Sequence, residues 1–295
     1  MEFRFCRVIF SIMFVINIYI NNLKLLHSLF LLFCLLFGII LRQERMKFMQ
    51  RYMINKNNSY VDLDNHIIKI MSEDAHHMKN VMRMNINDKV IVVYEEKSYQ
   101  CIILALTNSE VTLEIEHSLE ENKELDCEVC IAQGLVRKEK MEEVIDHISE
   151  LGATLYQPVT LRRCNVKVSN ENIDKKLIRL NKIAKEASEQ AHRLKVLEVK
   201  APISFKQFLS FSKDFDLCLV AHVDLDNPLY IGDAIKDEKR ILVLVGPEGG
   251  FDQEELDELK NNNFKMISLG KRVLRTEVAP SYIMSIVDYL RGENK

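Results

Sequence analysis

The sequence predicts an α/β fold whose C-terminal part carries a mainly parallel sheet, preceded by a small β-rich domain. Three observations predict it. From Cys127 onward, short apolar runs alternate with longer segments of helical periodicity, the pattern of successive strand and helix units. Between Arg51 and Leu125 the apolar runs are short, alternate in polarity and are separated by turn-sized gaps. Near the C-terminus two aliphatic runs open directly into glycine-bearing loops, Gly246 to Phe251 and Leu269-Gly270.

In chain order, residues 1–45 form a hydrophobic extension. Val8 to Ile20 and Leu25 to Leu41 are nearly continuous Leu, Ile, Phe and Val, broken by Asn17, Asn21, Asn22, Lys24 and His27. The second run is close to the lower limit for spanning a bilayer, and the first is too short. Arg4 and Arg7 precede the apolar run as in a signal peptide, but no small-residue cleavage pattern follows. Two readings stand: a membrane anchor, or translation counted from too far upstream, with a working start at Met46 or Met49.

Residues 46–125 make the β-rich domain. Lys89 to Tyr94, Tyr99 to Leu106 and Val111 to Glu116 read as strands, joined through Glu95 to Ser98 and Thr107 to Ser109 as hairpins. His76, His77 and Arg83 fall in a helical stretch before the first hairpin. Adjacent histidines on a short helix cap, pack or meet phosphate more often than they catalyse.

Residues 126–295 make the α/β domain. Met141, Val144, Ile145, Ile148 and Leu151 recur at helical spacing, as do Leu177, Leu180, Ile183, Ala184 and Ala187, so each set is the core face of a helix. Asp216 to His222, Ile241 to Val245 and Lys265 to Leu269 read as buried strands. Asp252 followed by Glu255 is a capping-box pattern, which starts a helix that runs to about Asn262. Ser281 to Leu290 is a final helix, apolar over a wide face.

Charge and cysteine usage exclude several classes. A net charge of -3 argues against a protein that coats nucleic acid along its whole surface, so any such contact is local. From Cys127 to Lys200 there are fourteen Lys/Arg against eleven Asp/Glu, including Arg137, Lys138, Lys140, Arg162, Arg163, Lys167, Arg193 and Lys195. Singly, each fits a solvated helix face; as a set they are the candidates for phosphate contact. Seven cysteines at irregular spacing do not form a secreted disulfide framework. Cys127 and Cys130, three apart in a strand pattern, point to opposite faces, and no second pair completes a zinc site. No metal is implied.

The loop Gly246-Pro247-Glu248-Gly249-Gly250-Phe251 lacks the Lys-Ser/Thr ending of a P-loop and the G-x-G-x-x-G spacing of a dinucleotide fold. Its glycines let a ligand approach the main chain. Glu248 and Asp252 repel phosphate, so the site suits a ligand that bears positive charge.

Several segments, in order, carry a family resemblance. His76-His77-Met78 is followed by Val81-Met82-Arg83 and Asp88; Met141-Glu142 by Glu150-Leu151-Gly152; Glu186-Ala187-Ser188-Glu189-Gln190 by Arg193. Then come the Gly246 loop, Ser268-Leu269-Gly270, and Arg272-Val273-Leu274-Arg275-Thr276-Glu277-Val278-Ala279. Together they resemble the knotted SPOUT methyltransferases, and within them the bacterial 16S rRNA uridine-N3 methyltransferases of the RsmE type. The resemblance spans roughly Met49 to Leu290, and its start near Met49 favours the upstream-start reading of residues 1–45. Departures are Val278 where Thr is usual, His147 for Lys, Cys164 for Ser and Asn87 for Gly.

The resemblance implies a PUA-like RNA-binding domain, then a SPOUT domain whose segment from Gly270 to about Pro280 threads a trefoil knot. It implies S-adenosylmethionine as cofactor, lined by Val220, Ala221, Leu244, Gly246, Glu248, Gly249, Leu269, Gly270 and Leu274. Arg275 and Glu277 are the implied catalytic residues. His76, His77, Arg83, Arg137, Lys138, Arg162, Arg163 and Arg193 are the implied RNA contacts. It further implies a cytoplasmic homodimer acting on 16S rRNA or the small ribosomal subunit, with no membrane partner unless residues 1–45 are a genuine anchor. Two alternatives stay open: the same fold acting on another RNA base, and a non-catalytic RNA-binding or ribosome-assembly factor.

Overall fold

The computed structural model describes residues 49–166, 173–222 and 229–292; the expectations for residues 1–45 and for Lys167 lie outside the described residues. Among the described residues no helix is long and apolar enough to cross a membrane.

The first sheet has the strands β1 (Arg51–Met53), β2 (Ser59–Asp62), β3 (Ile67–Met71), β4 (Lys89–Tyr94), β5 (Lys97–Leu106) and β6 (Glu110–Leu119), in the order β1-β4-β5-β6-β3-β2. β1 pairs with β4 in parallel and the other pairs are antiparallel. Alternation puts Val90 and Val92, Cys101 and Ile103, and Val111, Leu113 and Ile115 into one core. The first hairpin is tighter than its sequence suggests. Tyr94 pairs directly with Lys97, and Glu95 and Glu96 both take positive φ (49° and 61°), as the twist of a two-residue hairpin demands. Neither residue is the Gly or Asn that normally announces such a turn.

The stretch expected to be helical, before β4, is short: α1 (Glu73–His76) runs into a π-helical turn over His77–Val81, closed by the Met82 amide donating to the His77 carbonyl. Asn87, the departure from Gly, sits at φ 72°, a conformation that Asn tolerates better than most side chains.

The second sheet is wholly parallel among its eight described strands. These are β7 (Glu128–Gly134), β8 (Leu155–Thr160), β9 (Glu198–Val199), β10 (Ile203–Ser204), β11 (Leu217–Ala221), β12 (Leu229–Tyr230), β13 (Arg240–Val245) and β14 (Lys265–Ser268). Their order is β10-β8-β7-β13-β11-β14-β12, with β9 also on β8. Both faces are covered. Val129, Ile131, Ile241 and Val243 pack on one side with α2 (Lys138–Glu150), α3 (Ile173–Gln190), α5 (Ile231–Ala234) and α7 (Ala279–Arg291). Cys130, Ala132, Leu242 and Leu244 pack on the other with α4 (Phe205–Phe211) and α6 (Gln253–Asn261). Continuous apolar strands are what two covered faces require. Cys127 and Cys130 belong to opposite cores, as their spacing predicts.

A polar joint ties β1 to the second region. The β1 amide of Met53 donates to Glu189 of α3 at 2.7 Å, and Lys185 pairs with Asp74 at 2.7 Å. Arg51, 2% exposed, reaches Glu121 at 2.5 Å and the Arg193 carbonyl at 3.4 Å. Arg193, also 2% exposed, donates to the carbonyls of Ser149 (2.9 Å) and Ala153 (2.7 Å) and to Glu124 (2.7 Å). This corrects the expectation that Arg193 contacts RNA, because its guanidinium is buried and its donors are used on the protein's own main chain.

Candidate functional site

All strands of the second sheet run the same way, so their carboxyl ends, and the loops that follow, gather on one edge, where ligands of open α/β sheets bind. The loops after β11, β13 and β14 enclose a cavity of about 620 Å³ there, within the size range of small-ligand sites. Ala221 and His222 come from the first loop, Val245 to Glu248 with Gly250 and Phe251 from the second, Leu269, Gly270 and Arg272 to Glu277 from the third, and Lys140 from α2.

A buried polar chain holds two of these loops together. The Tyr156 hydroxyl of β8 donates to Gln133 Oε1 at 2.7 Å, and Gln133 Nε2 donates to the Thr276 carbonyl (2.8 Å) and hydroxyl (3.0 Å). Thr276 in turn donates to the Gly246 carbonyl at 2.7 Å. Tyr156 and Gln133 are fully buried, and burial pushes the phenol well above its ordinary range, so it stays a donor. The chain links the start of the Gly246 loop to the Arg272–Glu277 segment and fastens the latter to β7.

The Gly246 loop has its own supports. Gly250 donates to the Pro247 carbonyl at 2.9 Å and takes φ 67°, a left-handed turn for which glycine is suited. The capping box expected from Asp252 and Glu255 is present. Glu255, 2% exposed, also accepts from the Arg162 amide at 2.8 Å, so the loop after β8 is fastened to the start of α6.

Charge converges on the cavity. The Lys140 ammonium lies 3.2 Å from Glu248 and 3.1 Å from Glu277, and these pairs hold it above the usual lysine range. Burial alone would raise the Glu277 carboxyl; a backbone hydrogen bond, Lys140 and the charge of Arg275 outweigh it, and the group sits below the ordinary carboxylate range. Glu277 Oε2 is buried and has no well-aligned hydrogen-bond donor; the Lys140 charge is its partner. Arg275 is exposed at the rim and makes no ion pair among the described residues.

Comparison with known proteins gives this geometry a context. The family model for the RNA methyltransferase domain matches residues 123–288, and that for the RNA methyltransferase PUA domain matches residues 72–116. Ribosomal RNA small subunit methyltransferase E of Bacillus subtilis (strain 168) is 34% identical over 256 residues, covering 83% of this chain and 100% of that relative. The chain belongs to the ribosomal RNA small subunit methyltransferase E family. A member from Neisseria gonorrhoeae, solved bound to S-adenosyl methionine, superposes with a TM-score of 0.72 at 25% identity, covering 82% of this chain and 98% of that one. A Legionella pneumophila protein described as a methyltransferase, in complex with the cofactor SAM, does so with a TM-score of 0.71 at 27% identity, covering 82% and 97%.

Within this member of the methyltransferase E family, the structure sorts the expected site residues. Ala221, Gly246, Glu248, Leu269, Gly270, Leu274, Arg275 and Glu277 all line the cavity. Val220 and Leu244 do not: both are fully buried in the core on the α4 and α6 side of the sheet, because alternation turns them away from the loops. Gly249 does not line it either; a Cβ there would stand 2.9 Å from the Arg163 carbonyl, so this glycine serves the close approach of the loop after β8. Arg137 and Lys138 are exposed at the start of α2, and Arg162 and Arg163 are exposed beside the Gly246 loop, with Arg163 reaching the Gly249 carbonyl at 3.4 Å. In the first sheet region, His76 and Arg83 are exposed, whereas His77 is half-buried with Nδ1 3.1 Å from the Tyr52 hydroxyl.

Three contributors escaped the sequence reading. Lys140 was one basic residue among many, although its place in the first turn of the helix that follows β7 was the available signal. Gln133 was a polar residue in an otherwise apolar strand, a pattern that marks either a site or a buried network. Tyr156 carried no signal beyond its β-propensity.

Proposed function

We propose that this chain methylates N3 of a uridine in 16S rRNA, with S-adenosylmethionine as methyl donor, as a cytoplasmic homodimer. The observation that carries this reading is the cavity at the sheet's carboxyl edge, closed by two glycine-bearing loops that Thr276 and Gln133 lock together and faced by the carboxylates of Glu248 and Glu277. The residues fit a cationic ligand held by main chain. Gly270, at φ 105°, has nothing within 4 Å of where a Cβ would stand, which leaves its backbone open to approach. Ala221, Gly246, Leu269, Gly270 and Leu274 would hold the cofactor, with Glu248 facing its positive charge.

When bound, S-adenosylmethionine supplies an electrophilic methyl group on a sulfonium. A neutral uracil N3 carries a proton and is a poor nucleophile, so a base must remove that proton and a positive group must stabilise the anion that forms. Glu277, which lines the cavity beside Lys140, takes the proton. Arg275, exposed at the rim, stabilises the negative base. Arg137, Lys138, Arg162 and Arg163, all exposed in the second sheet region, contact RNA phosphates, and His76 and Arg83, exposed in the first, add to that contact.

The dimer reading is supported by an exposed apolar stripe at and before α7: Val278 (44% exposed), Tyr282 (37%) and Tyr289 (80%), beside Val273 (89%) in the cavity loop. The trefoil knot at Gly270 to Pro280 belongs to the same proposal and rests on family membership.

Calorimetric titration of the full chain with S-adenosylmethionine tests the reading. Binding is expected, with loss in Ala221→Phe at unchanged melting temperature, because a ring at that lining position fills the cavity. Incubation with small ribosomal subunits is expected to produce N3-methyluridine, detected by nucleoside mass spectrometry. A folded protein that binds no cofactor would leave a non-catalytic RNA-binding factor.

A further inference from the structure

We propose that Lys140 is a positioning residue that keeps Glu277 ionised and fixed at the cavity wall, so that this carboxylate is ready to accept the uracil N3 proton. The inference rests on the uridine-N3 reading above. In the step concerned, the N3–H bond breaks, its electron pair stays on N3, and the proton passes to a Glu277 carboxylate oxygen.

The argument is geometric. Lys140 projects from the first turn of α2 and lies 3.2 Å from Glu248 and 3.1 Å from Glu277, two carboxylates on loops that follow different strands. One ammonium thus ties α2 to both cavity loops. Glu277 is 9% exposed, and a carboxylate that buried loses its charge unless a cation stands beside it. The other charged or titratable groups lining the cavity are His222, Glu248, Arg272 and Arg275. Arg272 and Arg275 are exposed, and neither makes an ion pair with Glu277, whereas Lys140 touches it. The oxygen that Lys140 faces, Oε2, is buried, and the ammonium 3.1 Å away is the group that holds it at the cavity wall.

Removing the ammonium leaves burial as the dominant influence on Glu277. Its carboxyl should then titrate at higher pH, and the acid limb of the pH–rate profile should rise with it. Lys140→Met, Lys140→Arg and Glu277→Gln in the full chain separate the possibilities. Lys140→Met is expected to move the acid limb up by about one pH unit or more, so that the rate is lost on the acid side of neutrality, and to retain S-adenosylmethionine binding. Lys140→Arg is expected to restore most of the rate and the original limb. A second readout needs no turnover: the Glu277 carboxyl resonance, assigned by its absence in Glu277→Gln, is expected to titrate higher in Lys140→Met than in the parent. If Glu277→Gln is inactive while Lys140→Met leaves both limb and resonance in place, Lys140 has no such role. If Glu277→Gln remains fully active, Glu277 is not the base and the reading beneath the proposal fails instead. A fall in melting temperature with unmoved titrations would make Lys140 a structural brace only.

Discussion

The segment from Glu186 to Arg193 and the segment from Arg272 to Glu277 use the same residue types at opposite ends of the burial scale. In the first, Glu189 accepts from the β1 amide of Met53 and Arg193 is buried among the carbonyls of Ser149, Gly152 and Ala153. In the second, Arg275 is exposed at a cavity rim and Glu277 lines the cavity with Lys140 as its ionic partner. The difference teaches how to tell scaffold from site. A charged group whose hydrogen-bonding capacity is used by its own main chain has little left for a ligand, and one with capacity to spare beside a cavity is placed to act.

The strongest way to break this comparison is Arg193→Met. If Arg193 belongs to the joint, the variant loses about 3–5 kcal/mol of stability, because Glu124 loses its ionic partner and three carbonyls lose a donor; urea denaturation measures it. An RNA contact would instead leave stability intact and weaken binding to the ribosomal subunit.

The next effect is pH-dependent. Burial, the largest influence, raises Glu189 to about 7; Asp74 also raises it, while Lys185 and the Met53 amide lower it. The folded state therefore holds a proton that the unfolded state releases between the ordinary carboxylate value and about 7. Stability from this group is greatest below that window and declines as pH rises through it, by up to roughly 3 kcal/mol. Glu189→Gln should flatten that part of the stability profile, and an unchanged slope in parallel denaturation series would remove Glu189 from the joint.

The smallest effect sharpens the other side. Gln133→Leu strands the Tyr156 hydroxyl and removes the donor to Thr276, so it should cost about 1–3 kcal/mol and also weaken S-adenosylmethionine binding, since both cavity loops depend on the link. A stability loss with unchanged cofactor affinity would show that the loops hold their geometry without it.

Much of the molecule was legible in the chain because its signals are local. Alternation marked β4 to β6, the apolar runs marked β11, β13 and β14, helical spacing marked α2 and α3, and Asp252 with Glu255 marked the start of α6. The glycine-bearing loops marked the cavity, since a strand that ends in glycines announces close backbone approach wherever it lies. The two-residue turn at Glu95-Glu96 was not legible, because neither residue favours the positive φ that the paired strands impose.

By itself, then, the sequence determined the α/β class, the order of elements and the two glycine-bearing loops. All are properties of residues near one another along the chain. Only the tertiary structure decided which charged residues line the cavity and which are buried in the scaffold. Val220, Leu244 and Gly249 turned away from the cavity, Arg193 was drawn into the joint, and Lys140 was set between Glu248 and Glu277. The physical reason is that burial and partner geometry come from strands distant in sequence. Glu277 and Lys140 are separated by most of the second sheet region, and only the shared direction of its strands brings them within 3.1 Å.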